Sequence, residues 1–232
     1  MLYLVATPIG NLEDISLRAI RILQEADIVA CEDTRHARIL FERHGIKPRR
    51  LVSYHSHNEK QRAAELTDDL RGGTTIAVVT DAGTPGISDP AWAIVREAIL
   101  AGVEVVPIPG ACAAIAGLSA SGLDTNRFVF EGFLPLKKGR KRRIAAVAAE
   151  ERTSVIYESP FRIKRLFTEL IDACGPERGA ALCRELTKLH EQIYRGTLRE
   201  ILNSVEKQFP NDVKGECVVV ISGATDVPED EE

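Results

Sequence analysis

The residues best placed to do chemistry lie between Thr75 and Pro90, in the stretch TTIAVVTDAGTPGISDP. An apolar and β-branched run, Ile76 to Val79 and then Thr80, reads as a buried strand. It stops at the acid Asp81. The loop that follows holds two glycines, two prolines, Thr84, Ser88 and a second acid, Asp89. A helix is predicted at once, with Asp89 at its N-cap and Pro90 in its first turn. Strand, glycine-rich loop and helix N-terminus together build a ligand site at the carboxyl edge of a parallel sheet. A carboxylate such as Asp81 can accept from ribose hydroxyls or face a sulfonium. Asp89 suits turn making and helix capping better.

Four further loops end predicted strands before residue 123: Thr7-Pro8-Ile9-Gly10, Glu32-Asp33-Thr34-Arg35, His55-Ser56-His57-Asn58 and Pro109 to Ala113. In an open parallel sheet they gather with Asp81 to Asp89 on one rim. The rims at Asp81 to Asp89 and Pro109 to Ala113 are short, glycine-bearing and low in lysine and arginine. They suit a neutral or cationic ligand with hydroxyls better than a triphosphate.

The elements that must carry these loops read as five strand-and-helix units. Strands are predicted at Leu2 to Ala6, Asp27 to Cys31, Leu51 to Tyr54, Thr75 to Thr80 and Val103 to Ile108. Asn58 and Gln61 are spaced as a capping pair for the third helix. The helix after Gly110 is built almost wholly of Ala, Gly, Ser and Cys. Such small side chains allow close approach, either to a strand or to a flat ligand.

Composition shifts near Leu123 to Arg127. Beyond it, strands are expected at Phe128 to Phe133, Thr153 to Glu158, Ala180 to Arg184, Gln192 to Arg195 and Glu216 to Ser222. A helix is predicted from about Arg143 to Glu150, and Thr197 with Glu200 reads as a capping box. The expected organisation is two α/β domains, 1–123 with a mostly parallel sheet and 124–225 with a mixed one. An acidic tail, 226–232, has the composition of a disordered segment.

The chain of 232 residues is 44% hydrophobic and 28% charged, ordinary values for a globular protein, and its net charge is −4. Nucleic-acid binding would therefore need a local patch. Lys137-Lys138-Gly139-Arg140-Lys141-Arg142-Arg143 places six cations in seven positions. Against an acidic background this run is the candidate RNA contact, although a solvated loop is the usual fate of such charges. The five scattered cysteines, without a CxxC, suit a reducing cytosol. No signal peptide or apolar membrane-length run is evident. There is no GxGxxG, P-loop or GxSxG pattern. His55-x-His57 lacks further ligands at metal spacing, so no metal is expected.

Taken together, ATPIGNLEDIS, EDTR, TDAGTPGISDP, PIPGACAA, YESPFRI, RELTKLHE and GECVVVISG resemble one family from Leu2 to about Gly223. It is the ribosomal RNA small subunit methyltransferase I family, within the tetrapyrrole methylase superfamily. The resemblance implies the two-domain tetrapyrrole methylase fold with S-adenosylmethionine in the cleft between domains. It also implies a cytoplasmic homodimer acting on small-subunit rRNA. The implied reaction is methylation of a cytidine ribose 2′-hydroxyl in the decoding region. Carried over by motif, the cofactor residues are Pro8, Asp81, Gly83, Thr84, Ala111, Cys112 and Ala113. The superfamily often has Ser where this chain has Cys112. Family members commonly carry a further helical segment after the point where this sequence ends.

A ribose hydroxyl is a poor nucleophile while protonated, so a general base or an electrostatic helper is expected. Glu32, Asp33, His55, Glu158, Glu185 and Lys188 all fall at predicted strand ends. Glu32, Asp33 and Arg35 are preferred for orienting substrate, and Glu185 or Lys188 for the wall supplied by the second domain. Each could equally be a structural ion pair. Two other readings stay open: a small-molecule tetrapyrrole methyltransferase, and a non-catalytic RNA-binding protein on the same fold.

Overall fold

Leu2–Val5 (β1), Ile28–Cys31 (β2) and Ile76–Val79 (β4) are short apolar runs that a parallel sheet buries on both faces. With Leu51–Ser53 (β3) and Val105–Ile108 (β5) they form an all-parallel sheet in the order β3-β2-β4-β1-β5. The structure, a computed structural model, describes residues 1–224. Within these the chain separates into two units, the first being Met1–Cys112 and the second beginning at Ala113.

In the first unit, Leu17–Glu25 (α1) and Thr34–His44 (α2) cover one face of the sheet. Their Leu23 and Phe41 belong to one core cluster with Val5, Val29 and Ala77. Glu59–Arg71 (α3) and Ala91–Leu100 (α4) cover the other, where Leu66 and Ile94 join Leu2, Ile28 and Ile76. Alternate residues of each strand therefore serve opposite cores. β4 leads to α4 on one face, whereas its neighbours β1 and β2 lead to α1 and α2 on the other. The sheet thus changes winding direction on both sides of β4, and the carboxyl ends at such points are where open α/β sheets bind ligands.

Local signals set the helix ends. Ser16 Oγ accepts from the Ala19 N–H at 3.1 Å, and Gly45 at φ +64° ends α2 in the left-handed conformation. The expected Asn58–Gln61 cap does not form. The Asn58 side-chain oxygen accepts from the His55 N–H at 2.8 Å, and the Gln61 amide donates to Glu65 at 2.8 Å.

The second unit opens with Ala113–Ser121 (α5). Its sheet has the order β6-β7-β10-β8-β9, from Phe128–Phe133 (β6), Thr153–Glu158 (β7), Gly179–Arg184 (β8), Gln192–Thr197 (β9) and Cys217–Ile221 (β10). β6 and β7 run parallel and the remaining neighbours antiparallel, so the sheet is mixed as predicted. Arg140–Ala149 (α6), Ile163–Cys174 (α7) and Leu198–Gln208 (α8) bury one face around Phe167, Ile156 and Val219. The Thr197–Glu200 capping box is present at the start of α8.

α5 covers the other face. A Cβ on Gly117 would lie 3.0 Å from Val218 Cγ1, and the Cys183 thiol donates to the Gly117 carbonyl at 3.7 Å. Close helix–sheet packing therefore accounts for the buried small residues of α5. The break at Cys112 and Ala113 precedes the composition shift at Leu123 because this helix packs on the second sheet. The expected tail, 226–232, lies outside the described residues.

Candidate active site at the carboxyl edge of β4

Three loops are laced together where the first sheet changes winding. The Thr7 N–H donates to the Gly83 carbonyl at 2.9 Å, and the Gly83 N–H returns to the Thr7 carbonyl at 3.0 Å. The Thr7 hydroxyl, buried, donates to the Thr80 carbonyl at 3.1 Å. Gly83 holds φ +89°, a conformation that L side chains rarely adopt. Thr84 Oγ1 donates to the Ala111 carbonyl at 3.0 Å and so ties the loop after β4 to the loop after β5. At Gly110 an added Cβ would meet the Ala6 Cβ at 2.9 Å. The loops after β1 and β5 approach too closely there for any side chain.

On the other flank of β4, the Asp33 N–H donates to the Asp81 carboxylate at 3.1 Å. Glu32 turns toward the same place, with Thr80 Oγ1 donating to its carboxylate at 3.4 Å. Burial pushes the Glu32 carboxyl above its ordinary value, and the charges of Asp81 and Asp89 push it further. The Asp89 carboxylate accepts from Gly86 N–H at 2.8 Å and Ala91 N–H at 2.9 Å, so it makes the turn and meets the first helical N–H, but Pro90 rather than Asp89 takes the N-cap position of α4.

Asp33 and Arg35 separate from Glu32. The Asp33 carboxylate caps α2 through the Arg35 N–H at 2.8 Å, and the Arg35 guanidinium clasps it through Nε at 3.2 Å and Nη2 at 2.7 Å. These hydrogen bonds hold Asp33 well below the usual carboxylate range, which removes it as a base. His55 packs edge-on to His57 with ring centres 5.9 Å apart. Among the described residues no group of three or more His, Cys, Asp and Glu is placed to hold a metal ion.

In the second unit, Glu185 and Lys188 stand in a braced turn between β8 and β9. Lys188 Nζ donates to Glu185 at 3.0 Å and to Glu216 at 3.1 Å, and Glu185 Oε1 accepts the Glu216 N–H at 2.9 Å. Burial pulls the Lys188 ammonium down, but the two carboxylates more than offset it and leave it raised. Burial pushes Glu185 up, but the Glu216 N–H and Lys188 leave it lowered. Neither is poised to take a proton; both hold the turn, where Glu185 and Thr187 carry φ of +54° and +65°.

Arg140 corrects the reading of the basic run. It is 2% exposed, donating through Nη1 to Glu158 at 3.1 Å and to the Pro135 carbonyl at 3.2 Å, and through Nε to Glu169 at 2.7 Å. A guanidinium committed to two acids in the interior cannot meet phosphates. Arg143 pairs with Glu131. Lys137, Lys138, Lys141 and Arg142 stay exposed. Glu158, a base candidate by sequence, is fully engaged by Arg140, Arg162 and the Ser159 N–H.

Sequence reading did not anticipate two anchors. One is the Thr7–Thr80 bond. The other is the Tyr157 hydroxyl, which accepts from the Ala114 N–H at 2.9 Å and so caps the start of α5. Tyr157 was visible only as part of YESPFRI.

A parallel sheet that winds both ways around β4, followed by a mixed five-stranded sheet, defines a class of protein, and comparison agrees. Residues 1–202 match the family model described as Tetrapyrrole (Corrin/Porphyrin) Methylases. Uroporphyrin-III C-methyltransferase from Thermus thermophilus, solved with S-adenyl homocysteine, superposes with a TM-score of 0.67 at 20% identity, covering 96% of this chain and 97% of that one. Diphthine synthase gives 0.70 at 19% identity, covering 95% and 89%. At such identities these two speak for the fold alone. The sequence relatives are much nearer. Proteins named ribosomal RNA small subunit methyltransferase I are 48% identical in Pseudomonas aeruginosa, over 100% of this chain and 81% of the relative. The corresponding protein of Synechocystis sp. is 49% identical over 99% and 81%. This chain belongs to the ribosomal RNA small subunit methyltransferase I family of the tetrapyrrole methylases.

Proposed function

We propose that the chain transfers a methyl group from S-adenosylmethionine to the ribose 2′-hydroxyl of a cytidine in the decoding region of small-subunit rRNA. Family membership over the whole chain supports methyl transfer to small-subunit rRNA. The observation that carries the site assignment is the position of Asp81 at the end of β4, whose neighbours β2 and β1 both wind to the opposite face.

The rim around Asp81 suits the cofactor chemically. It offers a carboxylate, closely approached glycine backbone and few cations. Pro8, Asp81, Gly83, Thr84, Ala111 and Cys112 are the residues assigned to hold it, with Ala113 next in the chain. When bound, S-adenosylmethionine supplies a methyl carbon on a good leaving group, so positioning accounts for much of the rate. The Asp81 carboxylate holds hydroxyls or faces positive charge, and its orientation is fixed by the Asp33 N–H. Glu32 is the proton acceptor, because a carboxyl raised by burial is a stronger base than a solvated one. Asp33, Arg35, Glu185 and Lys188 act structurally. The exposed Lys137, Lys138, Lys141 and Arg142 contact phosphates. The resemblance implies a homodimer, and the exposed Trp92, Ile99 and Leu100 of α4 offer apolar area for one; sedimentation of the purified chain tests this.

The test is incubation of purified chain with methyl-labelled S-adenosylmethionine and isolated small subunits, then digestion to nucleosides. Label in 2′-O-methylcytidine is expected. Label only in a base, or only in an added porphyrin, would overturn the assignment.

A further inference from the structure

The carboxyl end of the parallel pair β6 and β7 forms a second rim, and it carries exposed rings. Phe133 ends β6 in register with Tyr157 and is 57% exposed; Phe161, in the connection from β7 to α7, is 77% exposed. A register shift between Phe130 and Gly132 explains the position of Phe133. In a regular strand, Phe130 and Phe133 would point to opposite faces. The extra residue brings both to Tyr157, with ring centres 5.0 and 5.5 Å away. Phe130 and Tyr157 are half-buried and leave Phe133 as the ring that meets solvent.

The two loops of this rim are pinned from below by one carboxylate. Arg140 joins the Pro135 carbonyl, in the connection after β6, to Glu158 at the end of β7. Arg162, just beyond Phe161, donates to the other oxygen of Glu158 at 2.7 Å. Leu136, next in the chain after Pro135, is 58% exposed, and the exposed Lys137, Lys138 and Arg142 follow within six residues, in the same connection and the first turn of α6. Apolar side chains held at high exposure on a fixed base, in a connection that also carries exposed cations, are unlike a solvated loop.

We propose that this rim is a stacking platform for unpaired bases of the rRNA substrate, with Phe133 and Phe161 meeting base faces and Lys137, Lys138 and Arg142 meeting the flanking phosphates. The inference rests on the rRNA reading above and names the part of the chain that grips the substrate. Single-stranded RNA fits because its splayed bases expose π-faces that rings can cover, whereas duplex RNA is recognised by shape and backbone. Arg140 is a positioning residue here, acting through Glu158 and the Pro135 carbonyl.

The experiment measures binding of a fluorescently labelled single-stranded RNA, copied from the decoding region, by anisotropy over a range of salt. Phe161→Ala and Phe133→Ala should each weaken binding by about 5- to 100-fold and leave the salt slope unchanged. Lys137→Ala and Lys138→Ala should each lower the slope by about 0.7. Phe161→Leu, which keeps apolar area but not the ring, should bind like Phe161→Ala. A duplex of the same sequence should barely sense the ring substitutions. S-adenosylmethionine binding by calorimetry should match wild type in every variant, which confirms folding. Unchanged RNA binding by both alanine variants, or a changed oligomeric state as their only effect, overturns the platform. If those variants bind normally while wild type still methylates rRNA, the platform fails and the proposed function stands. If wild type neither binds nor methylates rRNA, both fail.

Discussion

The main-chain N–H of Asp33, at the end of β2, donates to the carboxylate of Asp81, at the end of β4, at 3.1 Å. This bond crosses one of the two changes of winding that flank β4. The Thr7–Gly83 pair of hydrogen bonds crosses the other. The end of β4 is consequently held from both sides, the preorganisation that the role proposed for Asp81 requires.

Asp81→Asn keeps an acceptor for the Asp33 N–H but removes the charge. S-adenosylmethionine affinity measured by calorimetry should fall about 10- to 100-fold, the scale of a lost charge-assisted hydrogen bond. The melting temperature should stay at the wild-type value. Asp81→Ala also strands the Asp33 N–H and should cost about 1 kcal/mol of stability besides. Wild-type cofactor affinity in Asp81→Asn would remove the role given to this carboxylate.

Glu32 links activity and stability with opposite signs. Its folded-state value lies above the ordinary 4.5, through burial first and then the neighbouring charges of Asp81 and Asp89. A carboxyl raised on folding stabilises the fold below its unfolded value, and that contribution is lost as pH rises through the folded one. Glu32→Gln should therefore be at least as stable as wild type at pH 7 in urea unfolding. Its kcat should drop about 100-fold or more, as for loss of a general base. The wild-type rate should decline below the raised value as the base protonates, and the Gln variant should lose that limb. An unaltered kcat would show that Glu32 takes no proton.

Arg140→Met leaves the Glu158 side chain, fully buried, with one cation fewer. Unfolding by denaturant should show a loss of about 3–5 kcal/mol. The double variant Arg140→Met, Glu158→Leu should recover part of it, because no isolated charge then stays in the interior. RNA affinity should fall in step with displacement of the Pro135 and Phe161 loops rather than with one lost phosphate contact. A surface-like loss below about 0.5 kcal/mol would contradict the buried position.

The cysteines should separate by reactivity. Burial pushes Cys31 and Cys217 up to about 12 and Cys183 up to about 11. These three should resist alkylation of the native protein at pH 8 in a mass-spectrometric time course. Cys112 and Cys174, partly exposed, should label first. Early labelling of Cys183 would mean that α5 does not stay packed on Val218.

Much of the molecule was legible because its signals are local. The apolar runs of β1, β2 and β4, the glycine stop after α2 and the Thr197–Glu200 box each act within a few residues. Asn58 and Gln61 have capping spacing too, but His55 N–H and Glu65 compete for them and win. Arg140 could not be told from its neighbours in a run of six cations. Glu158, placed by β7, and Glu169, placed by α7, select it. α6 also starts at Arg140 rather than Arg143, because Gly139 at φ +86° turns the chain there. The loop at Asp81 was recognisable by composition. Its place beside two reversals of winding depends on strand order, which no local pattern encodes.

The most direct measurement is a 2′-O-methylation map of small-subunit rRNA from cells lacking the gene, with and without the chain restored. A methylated 2′-oxygen cannot attack the adjacent phosphate, so each modified ribose blocks alkaline cleavage at its own 3′ side. One cytidine in the decoding region is expected to be cleaved without the chain, protected with it, and cleaved again when Asp81→Asn is supplied. An identical map in all three strains would contradict it.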